Sequence, residues 1–262
     1  MLESIISLKE IVKRPYLMFL WTFIIGSVAI IISTRIAVTT NNVNLHGLFA
    51  VMFIVIPTSY FLTRLIVRDE KLEEKEIARH FKKGIWQRYR NEFLIFATFF
   101  FSLVFTFAIW SFVVGLDFFQ IQNTEIARVV GGTGNAVYPG FTFENILINN
   151  SYVFALSFML SFIFGGGAVF IIVWNASILG TFIAKLSTTV WDIPAQTIRF
   201  LPHGTFEIGG YLLAAVAGGI ISAAIIRKHH KRGVFKVVLT DALIVFLIGF
   251  ALIVIGAGIE IL

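Results

Sequence analysis

Five polar side chains lie in or beside long apolar runs of this sequence, and their types suit hydrogen bonding and proton exchange. They are Asn149, Asn150, Asn175, His203 and Glu207. A polar group inside hydrocarbon costs free energy, so such residues mark functional sites by default. The sequence predicts that these side chains converge near one face of a membrane.

His203 and Glu207 are four residues apart, which places both on one face of a helix. At ~1.5 Å of rise per residue, Glu207 would lie about 6 Å deeper in the membrane than His203. The competing interpretation is structural. A carboxylate in the first turn of a helix favours the positive end of the helix dipole, and His203 after Pro202 would then only cap that helix. Asn175 would likewise only form a hydrogen bond between neighbouring helices.

A zinc site is the enzymatic alternative for this set. His46, on the same predicted side of the membrane, could join His203 and Glu207 in the His/His/Glu ligand set of catalytic zinc sites. Nothing in the spacing requires that site, and the sequence has no HExxH, GxSxG or Walker A motif. The absence of cysteine excludes disulfides, thiolate metal ligands and a cysteine nucleophile. We therefore expect no metal, no cofactor and no enzymatic activity.

Asp241 is a further charged residue inside an apolar run and marks a second polar site. It follows the basic residues of the stretch 227–236, so an ion pair with that stretch is favoured over a transport role. Small residues allow membrane helices to approach each other closely. The glycines expected to mediate such packing are Gly165, Gly166, Gly167, Gly180, Gly204, Gly218 and Gly219.

The composition shows what must position these groups. Apolar residues make up 58% of the 262 residues and only 14% are charged, whereas about a quarter of a soluble domain is charged. Uncharged runs of about 20 residues can cross a bilayer core of ~30 Å as helices. The sequence therefore predicts an all-α, polytopic transmembrane bundle. The net charge of +6 comes from basic residues beside these runs, which favours membrane orientation over nucleic-acid binding.

The chain is predicted to form one membrane domain over residues 17–262, preceded by an amphipathic helix on the membrane surface over residues 1–16. Residues 68–92 are dense in charge, with apolar residues every three or four positions, and are expected to form a cytosolic amphipathic helix. Residues 116–150 are too polar to cross and are expected to form an extracytoplasmic loop, and residues 191–201 a connection. The clear membrane segments are 17–36, 46–67, 93–115, 205–226 and 234–262.

Residues 151–186 are nearly uncharged and too long for one span. Two interpretations are open: a hairpin of two short helices that turns at the glycines at 165–167, or one long span followed by an interfacial helix. The hairpin makes seven crossings instead of six. It places all basic residues on the cytosolic side except Arg35, Arg128, Lys185 and Arg199, in agreement with the positive-inside rule. We therefore favour the hairpin, in the cell membrane, with a cytoplasmic N-terminus.

The polar residues belong to a longer pattern, which consists of Ile148, Asn149, Asn150, the glycines at 165–167, Asn175, Gly180, Pro202, His203, Gly204 and Glu207. In these residues the sequence resembles the stage II sporulation protein M family of integral membrane proteins. The likeness covers roughly residues 146–224 and implies a membrane core with a shared Asn/His/Glu constellation. In spore formers the member resembled works with cell-wall hydrolases in septal thinning and engulfment, as a membrane partner and not as the hydrolase.

We therefore expect a non-enzymatic scaffold or partner subunit of a membrane complex. Its expected partners are the lipid bilayer and other membrane proteins, with a homo-oligomer left open and no nucleic acid. The alternative is a transporter or channel, because an Asn/His/Glu set beside a broken helical hairpin resembles the midplane sites of transporters.

Overall fold

A computed structural model of the chain describes residues 11, 14–40, 45–78, 85–131, 142–164, 168–226 and 235–261. Helices and no strands occur in these ranges. Two short 3₁₀ helices, Leu116–Phe119 and Val190–Asp192, precede the fourth and seventh α-helices. The α-helices are α1 Pro15–Thr40, α2 His46–Ala78, α3 Ile85–Val114, α4 Gln120–Gly131, α5 Phe143–Phe164, α6 Ala168–Leu186, α7 Ile193–Ile226 and α8 Phe235–Glu260.

Seven of the described helices, all except α4, are long and apolar enough to cross a membrane. The prediction of an all-α polytopic bundle is therefore confirmed. The glycines at 165–167 lie outside the described residues, but α5 ends at Phe164, α6 begins at Ala168, and the two helices pack against each other. Of the two interpretations of residues 151–186, this arrangement is the hairpin of two helices. At 22 and 19 residues, both helices have the length of an ordinary span, so neither is as short as expected.

The two predicted ends of the charged surface helix, residues 68 and 92, are wrong because the neighbouring span helices extend beyond their apolar parts. The charged stretch 68–92 is not a separate surface helix, since α2 continues into it as far as Ala78 and α3 begins at Ile85. Residues 79–84 lie outside the described residues. Lys, Glu and Arg are good helix formers, so a helix need not end where its apolar run ends.

The predicted loop at residues 116–150 also contains more helix than expected. The short helix α4 lies within it, and α5 begins at Phe143 instead of at the predicted residue 151. At the start of the chain, α1 begins at Pro15, a residue type favoured in the first helical position. Most of the predicted surface helix, residues 1–10, 12 and 13, lies outside the described residues.

The predicted connection at residues 191–201 is instead the beginning of α7, which contains Pro202. The Asp192 carboxylate accepts hydrogen bonds from the backbone N–H groups of Thr188 and Thr189, at 3.0 and 2.7 Å. These bonds hold the turn that precedes the helix. Membrane helices tolerate an internal proline because neighbouring groups satisfy the backbone groups that it frees. Pro202 is therefore not a helix boundary in this protein.

Helix α7 is the centre of the bundle. It packs most extensively against α8 and α5, and also against α2, α3 and α6. In its most apolar stretch of 18 residues, 83% are buried, against 22% in that of α5 and 33% in that of α8. Helices α1, α2 and α3 pack together, and α6 packs against α2 and α3 as well as α7. Side chains on α7 therefore meet several helices at once.

Helices α5 and α7 touch through their backbones. A Cβ atom at Gly218 would overlap the Phe158 carbonyl oxygen. One turn earlier on α7, the Ala215 carbonyl oxygen accepts a hydrogen bond from the Ser161 hydroxyl group at 2.7 Å. Small residues and hydrogen bonds between helices are the means by which membrane helices associate. The α5–α7 contact uses both.

Replacing Gly218 with alanine should destabilise the protein, because the added methyl group would push the backbone of α5 away from α7. The free energy of unfolding should fall by about 1–3 kcal/mol, the usual cost of overpacking. Gly258→Ala is the matched control, since a Cβ atom there meets nothing within 4 Å. Thermal unfolding in detergent would measure both variants. Equal midpoints would contradict the close contact.

Single cysteines would test the predicted orientation, because the chain has none of its own. Ala195 at the start of α7 and Lys236 at the start of α8 are exposed and lie at opposite ends of this helix pair. With a cytoplasmic N-terminus, Ala195→Cys should react with an impermeant maleimide added to intact cells. Lys236→Cys should react only after lysis. The reverse labelling pattern would place the N-terminus outside.

Candidate functional site

A buried hydrogen bond joins Asn150 on α5 to Glu207 on α7. The Asn150 Nδ2 group donates to Glu207 Oε1 at 2.6 Å. Asn150 is 6% exposed and Glu207 is 9% exposed. Hydrogen bonds in such surroundings are electrostatically stronger than in water. The two residues are 57 positions apart in the sequence, so only the packing of α5 on α7 creates the contact.

Two more side chains complete this group, which we call the Glu207 cluster: Asn150, Glu207, Tyr211 and Glu260. The Tyr211 hydroxyl group donates to the Asn150 Oδ1 atom at 2.8 Å. The Glu260 carboxyl group, at the end of α8, lies against the Glu207 carboxyl group within hydrogen-bonding reach. The cluster therefore links α5, α7 and α8.

Gly256 on α8 makes room for the Glu207 side chain. A Cβ atom at Gly256 would lie 2.8 Å from Glu207 Cγ and 3.3 Å from the Glu207 backbone nitrogen. On the next turn of α7, a Cβ atom at Gly210 would lie 2.9 Å from the Gly249 carbonyl oxygen. The backbones of α7 and α8 thus nearly touch beside the cluster. Polar groups buried in this way depend on one another for hydrogen bonds.

The other two predicted asparagines take different places. Asn149 is exposed, and its Nδ2 atom lies 3.4 Å from Asn150 Oδ1, so it meets the cluster only at its edge. Asn175 donates to the Ile171 carbonyl oxygen at 2.8 Å within α6, and not across helices as its structural interpretation required. It shares a cavity of about 10 Å³ with Tyr211. Asn149 and Asn150 lie about two turns into α5, and not at the end of the loop predicted for residues 116–150.

His203 does not join this hydrogen-bonded group. Its ring meets the Phe200 ring edge-on, with 4.6 Å between centroids, and it lines a cleft between α6 and α7. The spacing of four residues places the two side chains on one side of α7, but His203 lies one turn nearer the start of the helix and meets different neighbours. Glu207 thus contacts α5 and α8, whereas His203 meets α6. The structure brings Asn150 and Glu207 together and separates the histidine from them.

The part of the chain that the structure describes contains no group of three or more His, Asp, Glu or Cys side chains placed to hold a metal ion. His46, the third ligand of the zinc alternative, stacks on Phe118 with 4.6 Å between ring centroids. Its backbone carbonyl oxygen accepts a hydrogen bond from the Ser33 hydroxyl group at 2.5 Å. His46 therefore does not join His203 and Glu207 in a metal site.

Asp241 is buried near the start of α8. Of the basic stretch 227–236, which we expected to pair with it, residues 227–232 lie outside the described residues and Lys236 is exposed at the start of α8. The ion pair therefore stays a prediction. A transport role for Asp241 is not needed to account for its burial, since buried acidic side chains are commonly paired.

Besides Gly218, three of the predicted packing glycines lie in the described residues, and they take different positions; Gly165, Gly166 and Gly167 lie outside them. Gly180 brings α6 against α3, since a Cβ atom there would lie 2.5 Å from the Val104 carbonyl oxygen. Gly204 is covered by the Phe200 ring of its own helix, so no second helix is needed to explain it. Gly219 is buried on α7 beside Gly218.

Tyr211 and Glu260 are the cluster members that sequence reasoning missed. The spacing of Glu207 and Tyr211 is a usable signal, since four residues place both on one helix face. Topology is the signal for Glu260. With seven crossings, the end of α8 returns to the side of the membrane on which α7 begins.

Comparison with known proteins supplies a family. The Stage II sporulation protein M family matches residues 95–261, which is more than half of the chain. The chain belongs to this family. The matched residues run from α3 to α8 and include the whole Glu207 cluster.

One relative of this Stage II sporulation protein M family member is an uncharacterized protein of Methanocaldococcus jannaschii. The two are 33% identical over 124 residues, which cover 46% of this chain and 70% of the archaeal protein. No solved structure matches the chain.

Asn150→Leu should destabilise this member of the Stage II sporulation protein M family, because Glu207 and Tyr211 would lose their amide partner. Each buried polar group left without a hydrogen bond costs about 1–3 kcal/mol. Asn149→Leu is the matched control, since that neighbour is exposed and its loss should change the free energy of unfolding by only about 0.5 kcal/mol. Denaturant unfolding in detergent compares the two. Similar losses in both would show that the cluster does not stabilise the bundle.

Proposed function

We propose that this protein is a non-enzymatic subunit of a membrane complex, in which the Glu207 cluster holds α5, α7 and α8 as one rigid unit. The observation that carries the proposal is the Asn150–Glu207 hydrogen bond. Both side chains are buried and bond to partners inside the protein. Polar side chains used in this way hold membrane helices in one arrangement.

The outer face of α5 supports a docking role. Tyr152, Leu156, Met159 and Ile163 form an exposed apolar stripe along this helix, at spacings of three or four residues. Such a stripe faces lipid or another membrane helix. A rigid three-helix unit that presents it suits a subunit that binds other membrane proteins. This is the scaffold role inferred from the sequence and from the resemblance to the family.

Cross-linking in the native membrane tests this proposal. A photoreactive amino acid at Leu156, which is 49% exposed, should form a cross-link to another protein chain. One at Phe154, which is 2% exposed, should not. The mass of the product relative to the 29.4 kDa chain separates a second copy from another subunit. Cross-links from Leu156 to lipid alone would contradict the proposal.

Proton-coupled transport is the second candidate function, and the contact between Glu207 and Glu260 favours it. Two carboxyl groups within hydrogen-bonding reach can exchange a proton. Acidic residues inside membranes often lie on proton paths. The contact between Glu207 and Glu260 is therefore compatible with a proton relay as well as with a structural link between α7 and α8.

Glu207→Gln separates the two functions. Glutamine keeps an oxygen that can accept the Asn150 hydrogen bond, but it cannot take up or release a proton. For a structural cluster, we expect the Leu156 cross-link and the unfolding midpoint to stay close to those of the parent protein. Proton flux is measured in proteoliposomes with a pH-sensitive dye. Flux that is lost in Glu207→Gln and kept in the surface variant Lys236→Gln would establish transport instead.

A further inference from the structure

A cleft between α6 and α7 lies apart from the Glu207 cluster. Its volume is about 350 Å³, which is within the range of small-ligand sites. The last turn of α6 forms one wall and the first three turns of α7 form the other. The lining residues include Phe182 and Leu186 on α6 and Gln196, Arg199, Phe200 and His203 on α7.

The polar walls of this cleft suit an anion. Arg199 and His203 are one helical turn apart, and no carboxylate lines the cleft among the described residues. None of the described residues forms a hydrogen bond or ion pair with the Arg199 guanidinium group. The acidic residue nearest along the chain is Asp192, whose carboxylate already accepts the N–H groups of the preceding turn. A guanidinium group presents paired donors that match the oxygens of a phosphate.

The position of the cleft suits an amphiphile. It lies where α6 ends and α7 begins, beside a turn whose Trp191 is 90% exposed. Tryptophan is enriched where membrane spans meet the water interface. Leu186 is 51% exposed at the cleft, and Ile198 on the adjoining surface of α7 is 64% exposed. A ligand there can have its polar end on Arg199 and an apolar part against the lipid-facing surface.

We propose that this cleft binds an anionic phospholipid. Arg199 and His203 contact the phosphate of the head group, and Gln196 donates a further hydrogen bond to it. The acyl chains lie along Phe182 and Leu186 toward the hydrocarbon. Basic pockets between membrane helices bind lipid head groups by this combination of charge and apolar contact. The cleft shares no residue with the Glu207 cluster, so this inference is independent of the proposed function.

Lipid binding to the purified full-length protein in neutral detergent tests the inference. Native mass spectrometry counts the phosphatidylglycerol molecules that stay bound across a titration. We expect saturable binding, and a dissociation constant about fivefold higher in Arg199→Gln. Lys236→Gln is the matched control, because it removes the same charge at the opposite end of α7 and α8. Equal dissociation constants in the two variants would overturn the proposal.

Two further probes distinguish the source of the phosphate. Diacylglycerol has the chains without the phosphate, and glycerol 3-phosphate has the phosphate without the chains. Neither should displace phosphatidylglycerol at equal concentration. Displacement by glycerol 3-phosphate would assign the cleft to a soluble phosphate compound. Displacement by diacylglycerol would show that apolar contacts alone account for binding in the cleft. Either result overturns the lipid assignment.

A folding control keeps the test decisive. Thermal unfolding of Arg199→Gln should match that of the parent protein, since the side chain is exposed and makes no bond to the described residues. Where Arg199→Gln does not fold, Arg199→Lys takes its place. Lysine keeps the charge but lacks the paired donors, so phosphatidylglycerol binding should still weaken. Unchanged binding in Arg199→Lys would then count against the assigned contact.

Discussion

The hydrogen bond between Asn150 and Glu207 is a buried polar contact that constrains how α5, α7 and α8 pack together. Because lipid is as apolar as leucine, the burial of apolar surface alone does little to favour one contact between membrane helices over another. A buried amide or carboxyl group, in contrast, costs several kcal/mol without a partner. The favoured packing is the one that pairs these groups. Gly256 permits it, because a side chain at that position would occupy the space of Glu207.

Helix α7 carries two polar surfaces that serve different neighbours. Glu207 and Tyr211 face the hydrogen-bonded cluster with α5 and α8, whereas Arg199 and His203 line the open cleft with α6. Because α7 lies at the centre of the bundle, side chains that differ slightly in their angular position around its axis contact different neighbouring helices. One helix thus combines a closed, internally paired acidic group with an open basic one. The first suits stabilisation of the bundle, and the second suits a charged ligand.

Membership of the Stage II sporulation protein M family covers the part of the chain that contains both surfaces. Helices α1 and α2 lie before the matched residues, yet they pack against α3 and, through α2, against α6 and α7. The family core is therefore supported on one side by these two helices. Within that core, α5 presents its apolar stripe outward, and α8 also exposes apolar side chains such as Leu243 and Leu247.

The sequence by itself determined the class of the protein, favoured seven spans over six, and identified two members of the cluster. Run length identifies the other spans because bilayer thickness sets the length of a crossing helix, and the distribution of basic residues favours two spans within residues 151–186. Asn150 and Glu207 stand out because polar residues are rare in such runs. Helix ends were less predictable, since charged residues continue a helix as readily as apolar ones. Only the tertiary structure decided that Glu207 meets Glu260 and Tyr211 while His203 meets the α6–α7 cleft. Those contacts depend on how each helix is rotated against its neighbours, and side-chain packing between helices distant in the sequence sets that rotation.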